Sequence, residues 1–127
     1  VVGRVTAERD KPLLNVRERY GRNPQKFVLT RDTAIPLFLK DTAIAPSRHQ
    51  QIINQQITNV QSLLIEGGAA THRYFIDNNL GDVIRIETSA DIFLGGTRAA
   101  ELPESAVLVS EKRYDGNVIR EYVNKQL

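Results

Sequence analysis

The chain has no cysteine, methionine or tryptophan, and only two histidines, His49 and His72, among its 127 residues. The absence of cysteine excludes disulfides, catalytic thiolates and cysteine-based zinc sites. No apolar run approaches the roughly 18 residues of a membrane-spanning helix. The sequence therefore predicts no membrane partner. It leaves the cellular location open, because the chain starts at Val1 and contains no methionine that could mark an initiator.

Other familiar chemistry is also missing. Neither histidine belongs to a zinc-binding motif, and the serines do not occur in a nucleophile-elbow motif. The pairs Gly67-Gly68 and Gly95-Gly96 lack the lysine of a P-loop and the full dinucleotide fingerprint, so we interpret them as turn glycines. Asp77, Asn79 and Asp82 are more typical of an Asx-stabilised turn than of a calcium loop. We expect no catalytic residue, metal or cofactor.

Charge is divided unevenly along the chain. Residues 1–40 carry nine basic and four acidic side chains, a net charge of +5, whereas the whole chain has a net charge of +2. Pro12, Gly21 and Pro24 interrupt the first part of this segment. We predict an extended basic arm over residues 1–24 that docks on an acidic protein surface through four arginines: Arg9, Arg17, Arg19 and Arg22.

A helix is predicted over about residues 47–66, beginning at Ser47 and ending at Gly67-Gly68. Ile53, Ile57, Val60 and Leu64 follow helical spacing and form an apolar stripe. The opposite face is rich in side-chain amides and has no charge between Arg48 and Glu66, so a partner could cover it without burying ions. The residues predicted to contact a partner there are Gln51, Gln55 and Gln56.

The remaining pattern is β-rich. Strands are predicted at 26–30, 35–40, 73–77, 82–88, 91–94, 106–114 and 117–123, with tight turns at 78–81 and at Asp115-Gly116. The predicted fold class is α+β: a mainly antiparallel sheet, or a small barrel or sandwich, with one amphipathic helix and the basic arm. Residues 25–127 would form a single domain, since 127 residues support only one core.

Binding is favoured over catalysis by these features. The leading hypothesis is a noncatalytic assembly subunit of a homo-oligomeric particle, such as a virion component of a tailed phage, that also contacts other proteins of the assembly. A small nucleic-acid-binding β-barrel is an alternative, because Tyr74 and Phe75 lie beside Arg73 on a predicted strand. An enzyme of unrecognised type and a small-ligand or regulatory domain remain open as well.

Overall fold

The computed structural model describes residues 1–30, 43–44 and 60–125. Within these residues the chain forms two helices and six strands, and one of its two sheets is antiparallel. The predicted α+β class is thus confirmed, whereas a barrel or sandwich is not. Contacts divide the chain into two compact units, Val1–His72 and Arg73–Leu127. This division does not coincide with the predicted boundary after residue 24.

The first unit contains a parallel sheet that the sequence pattern did not predict. Its strands are β1 (Val2–Gly3), β2 (Val28–Leu29) and β3 (Ala43–Ile44), in the order β1-β2-β3. Val2 pairs with Val28, and Val28 pairs with Ala43. Helix α1 (Arg4–Asp10) begins immediately after Gly3. Parallel neighbours require long crossover connections, which short-range turn signals do not reveal.

A further extended segment flanks β1 on the side opposite β2. Val1 N donates to Leu64 O at 2.6 Å, and Glu66 N donates to Val1 O at 2.8 Å, which is the pattern of a parallel bridge between Val1 and Ile65. Residues 60–66 are therefore not helical, and that part of the predicted helix over 47–66 is wrong. Residues 47–59 of that prediction lie outside the described residues.

The core of the first unit is built from the segment that we expected to be an extended arm. Val2, Ala7 and Val28 are buried together, and Leu14 packs against them. Burial of an aliphatic side chain such as Val2 contributes about 1.5–3 kcal/mol. Residues 2–10 form β1 and α1 and supply part of this core, so the prediction of an extended arm is wrong for them.

Helix α2 (Ala69–Asp77) replaces the strand predicted at 73–77. The helix ends in a Schellman motif, in which Leu80 N donates to Phe75 O at 2.9 Å and Asn79 N donates to Ile76 O at 3.0 Å. Asn79 adopts the left-handed conformation that this motif requires, with φ of 54°. The predicted hairpin turn at 78–81 is therefore a helix C-terminus, and Tyr74 lies on a helix rather than on a base-stacking strand.

The second unit contains the antiparallel sheet, formed by β4 (Val83–Thr88), β5 (Ala106–Tyr114) and β6 (Asn117–Asn124) in the order β4-β6-β5. The β5–β6 hairpin is confirmed. Asp115 and Gly116 have φ of 48° and 82°, as a two-residue turn of this type requires. The strand predicted at 91–94 is wrong, because this segment is irregular and exposed.

Asn124, at the end of β6, is buried and fully engaged. Its side-chain NH₂ donates to Asn79 Oδ1 at 2.6 Å and to Gly81 O at 3.2 Å, and its Oδ1 accepts a hydrogen bond from the Ser105 hydroxyl at 2.6 Å. This one amide joins the loop after α2 to the residues that precede β5.

Candidate functional site

Two helices begin at the same edge of the parallel sheet. β1 ends at Gly3 and leads into α1, and the extended segment 64–66 leads through Gly67 and Gly68 into α2. Because these strands run parallel, both helix N-termini lie beyond their carboxyl ends, which is where open parallel sheets bind ligands. We call Gly67-Gly68 the glycine turn.

Gly67 is required by the packing of this edge. Its φ of 150° is rarely adopted by other residues, and a Cβ built on it would lie 3.1 Å from Gly3 N and 3.2 Å from Val2 Cα. Contacts of that length with backbone atoms can be relieved only if a strand moves. The absence of a side chain lets the glycine turn lie directly against β1.

Gly3 serves the same packing from the other side, since a Cβ there would collide with Thr71 Oγ1. Thr71 is buried in the first turn of α2. Gly68 differs, because its Cβ would meet only Thr6 Oγ1, at an ordinary 3.9 Å. Packing within the described residues therefore does not demand a glycine at position 68. The missing side chain of Gly68 instead leaves the backbone there open to the close approach of a ligand.

The first turn of α2 presents backbone N–H groups at this edge. Gly68 O accepts hydrogen bonds from Thr71 N at 2.9 Å and from His72 N at 3.2 Å, so Gly68 lies at the N-cap. Helix geometry leaves the N–H groups before Thr71 without a partner inside the helix. No acidic side chain occupies the first turn of either α1 or α2. The edge therefore favours an anion such as a phosphate group.

His72 links the two ends of the glycine turn. Its Nε2 lies 3.2 Å from Ile65 O, and the ring is partly buried. Since a carbonyl oxygen can only accept, Nε2 is the donor in this bond.

A groove of about 1030 Å³ adjoins the glycine turn within the same unit. Glu66, which immediately precedes Gly67, lines this groove, and three basic side chains, Arg17, Arg22 and Lys26, share its wall. Phe27 and Leu64 supply apolar surface to the same groove. The groove can therefore hold a ligand with an anionic group and a flat or apolar part. The loop that carries Arg17 and Arg22 contains a hydrogen bond from Val16 N to Asn23 Oδ1, at 3.2 Å.

The residues proposed from sequence fall in different places. Arg17 and Arg22 line the groove, whereas Arg9 and Arg19 are exposed outside its lining. Gln51, Gln55, Gln56 and His49 lie outside the described residues. Partner contacts through these side chains, and homo-oligomerisation itself, stay predictions. In the part of the chain that the structure describes, His, Asp and Glu form no group of three that could hold a metal ion, and no helix there has the length and apolarity needed to span a membrane.

Sequence analysis missed Thr6, Gly68, Thr71 and His72 as neighbours in one site. It assigned the glycine turn to the end of a helix, although the turn precedes one. An apolar run over 63–65, followed by Glu66, two glycines and two alanines, was the available signal for a strand, a turn and a new helix.

An extended segment, a glycine turn and a helix N-terminus at the carboxyl edge of a parallel sheet form an arrangement at which many α and β proteins bind phosphate groups. Comparison with known protein families identifies the family of this chain: the sequence model of the RibD C-terminal domain family matches residues 1–114. The chain therefore belongs to the RibD C-terminal domain family. No curated protein matches the chain.

Solved structures share this fold. The chain is 21% identical to a diaminohydroxyphosphoribosylaminopyrimidine deaminase/5-amino-6-(5-phosphoribosylamino)uracil reductase from Thermotoga maritima, covering 97% of this chain and 44% of that protein, with a TM-score of 0.67. The chain is 19% identical to Acinetobacter baumannii RibD, covering 96% of this chain and 45% of that protein, with a TM-score of 0.63. It is 20% identical to a putative riboflavin biosynthesis protein from Shewanella sp. PV-4, covering 98% of this chain and 72% of that protein, with a TM-score of 0.71. The chain thus spans less than half the length of the first two.

These findings correct the leading functional hypothesis. The family and its structural neighbours belong to riboflavin biosynthesis enzymes, so the predictions of a noncatalytic assembly subunit and of a virion component are wrong. The sequence was misleading because the candidate site is made largely of glycines and backbone N–H groups, which leave little trace in side-chain chemistry.

Proposed function

We propose that this chain forms the reductase part of a riboflavin biosynthesis enzyme and reduces a phosphoribosylaminopyrimidine. The observation that carries the proposal is the glycine turn, with Gly68 open at the N-terminus of α2, in a chain of the RibD C-terminal domain family. The Thermotoga maritima neighbour is named for two activities, deamination and reduction. Deamination is a hydrolysis, whereas reduction needs an electron donor, and a phosphate-binding turn is suited to hold one.

The electron donor must be a bound molecule, because the chain has no cysteine pair that could be oxidised. A nicotinamide dinucleotide, when bound, supplies a hydride to the substrate. The residues present fit its phosphates: the N–H groups at the start of α2 would hold them, Gly68 would allow their close approach, and the Thr6 hydroxyl would add a donor nearby.

The groove would hold the substrate. A phosphoribosylaminopyrimidine has an anionic phosphate, a polyhydroxylated sugar and a flat ring. Arg17, Arg22 and Lys26 match the phosphate, because guanidinium and ammonium groups bind phosphate oxygens through charge-assisted hydrogen bonds. The Glu66 carboxylate can accept hydrogen bonds from sugar hydroxyls or ring N–H groups. Glu66 also adjoins Gly67, so the substrate would lie next to the dinucleotide.

The test is a spectrophotometric assay of the full chain with reduced nicotinamide dinucleotide and 5-amino-6-(5-phosphoribosylamino)uracil. We expect oxidation of the dinucleotide only when both molecules are present, with one dinucleotide oxidised for each molecule of the pyrimidine substrate reduced. Dinucleotide oxidation that does not depend on the pyrimidine, or no binding of the dinucleotide at all, would contradict the proposal. Phosphoribosylamine without the pyrimidine ring serves as the matched control substrate.

A further inference from the structure

His72 closes the glycine turn through its side chain. The eight residues from Ile65 to His72 include the end of the extended segment, both glycines and the first turn of α2. The hydrogen bond from His72 Nε2 to Ile65 O, at 3.2 Å, spans this whole stretch. This side-chain hydrogen bond joins α2 to the extended segment that precedes the glycine turn.

The direction of the Ile65 carbonyl explains why this bond matters. The backbone groups of Leu64 and Glu66 bond to Val1, so the backbone groups of Ile65, between them, point away from β1. Without a hydrogen-bond partner, the orientation of the Ile65 carbonyl would be restrained only by the adjoining backbone. His72 binds this carbonyl oxygen, and it does so from the helix that follows the glycine turn.

From this geometry we propose that His72 is a positioning residue for dinucleotide binding, acting through the glycine turn. The inference rests on the proposed function. His72 does not touch the ligand. It holds the N–H groups of Gly68 and of the first turn of α2 in the arrangement that receives phosphate, so that binding does not have to order them. The imidazole donates through Nε2 in either the neutral or the charged form, provided that the neutral ring carries its proton on Nε2.

A pair of amide substitutions tests this role. In glutamine, the amide nitrogen is three bonds from Cβ, as Nε2 is in histidine, so His72→Gln keeps a donor at the required reach. In asparagine, the nitrogen is only two bonds from Cβ, which corresponds to histidine Nδ1, so His72→Asn keeps the polarity but loses the bond. The pair therefore separates the hydrogen bond from the general effects of removing an imidazole.

The measurements are titration of reduced nicotinamide dinucleotide fluorescence, steady-state kinetics and the melting temperature of the full chain. We expect His72→Asn to raise the Kd and KM for the dinucleotide roughly three- to tenfold, in line with one lost hydrogen bond. Its kcat and its KM for the pyrimidine should stay close to those of the unchanged chain, and its melting temperature should fall by only a few degrees, as the loss of one partly buried hydrogen bond implies. His72→Gln should restore most of the dinucleotide affinity.

Three results would overturn the inference. The first is that His72→Asn binds the dinucleotide as tightly as the unchanged chain does. The second is that His72→Gln binds it as weakly as His72→Asn. The third is that both variants show a large fall in melting temperature together with impaired kcat and KM for both substrates, which would show a merely structural role. If the unchanged chain itself does not bind the dinucleotide, the proposed function fails, and the inference fails with it. The unchanged chain thus reports on the function, whereas the comparison of variants reports on His72.

Discussion

The backbone of Gly67 lies so close to β1 that a Cβ on it would stand 3.1 Å from the backbone nitrogen of Gly3. This relationship places the start of α2 beside the start of α1, at the edge where we propose that the dinucleotide phosphates bind. It depends on two residues that are 64 positions apart and that both lack a side chain.

Gly67→Ala should destabilise the fold. The φ of 150° is unfavourable for alanine, and the new methyl group would press on the backbone of Val2 and Gly3. Backbone strain alone costs about 1–3 kcal/mol. Urea denaturation of the variant should therefore show a lower free energy of unfolding. A free energy within about 0.5 kcal/mol of the original would mean that the turn does not pack as described.

Gly68→Ala is the matched substitution, with the opposite expectation. The added methyl group would meet only Thr6 Oγ1 at 3.9 Å, so the free energy of unfolding should change by less than about 1 kcal/mol. Affinity for the dinucleotide should nevertheless fall, because the methyl group occupies the open side of the turn. Fluorescence titration and urea denaturation on the same sample separate the two effects. Unchanged affinity would place the ligand elsewhere.

Arg22→Gln should weaken binding of the phosphorylated substrate. Arg22 lines the groove, and loss of one charge-assisted hydrogen bond costs about 1.5–3 kcal/mol, which is on the order of a tenfold or greater rise in KM. The dephosphorylated substrate should be much less sensitive to the change. Arg19→Gln is the control, because Arg19 belongs to the same loop but not to the groove wall. Equal effects of the two variants would point to general charge attraction instead of a defined phosphate contact.

Asn124→Ala should destabilise the second unit. Its side chain bonds to Asn79, Gly81 and Ser105, and each buried polar group left unpaired costs about 1–3 kcal/mol. Thermal unfolding should begin at a clearly lower temperature. Asn117→Ala on the same strand is the control, since the bond from Asn117 to Glu87 is exposed and its loss should cost no more than about 0.5 kcal/mol. Similar melting temperatures for the two variants would refute the role of the buried network.

Local signals were enough to predict the β5–β6 hairpin. Asp115-Gly116 specifies the turn by itself, because both residues tolerate positive φ and the flanking segments have strand composition. β4 was also found within one residue of its bounds, for similar reasons. The predicted α+β class followed from these elements and is confirmed.

Other elements were decided by distant partners, or by helix caps that the strand prediction did not weigh. The apolar residues 63–65 fit a helix or a strand equally well, and pairing with Val1 makes them extended. Tyr74 and Phe75 have strand propensity, yet they are helical because Gly68 provides the N-cap and Asn79 the C-terminal motif. Propensity differences of this kind amount to less than about 1 kcal/mol, which tertiary contacts readily exceed.

By itself, the sequence determined the absence of thiol chemistry, the uneven distribution of charge and the antiparallel hairpin, because each of these depends on composition or on neighbouring residues. Only the tertiary structure decided that Gly3, Gly67 and Gly68 meet at the start of two helices. Glycines and backbone N–H groups have no side-chain signature, and their function arises only when parallel pairing brings distant segments to the same edge of a sheet.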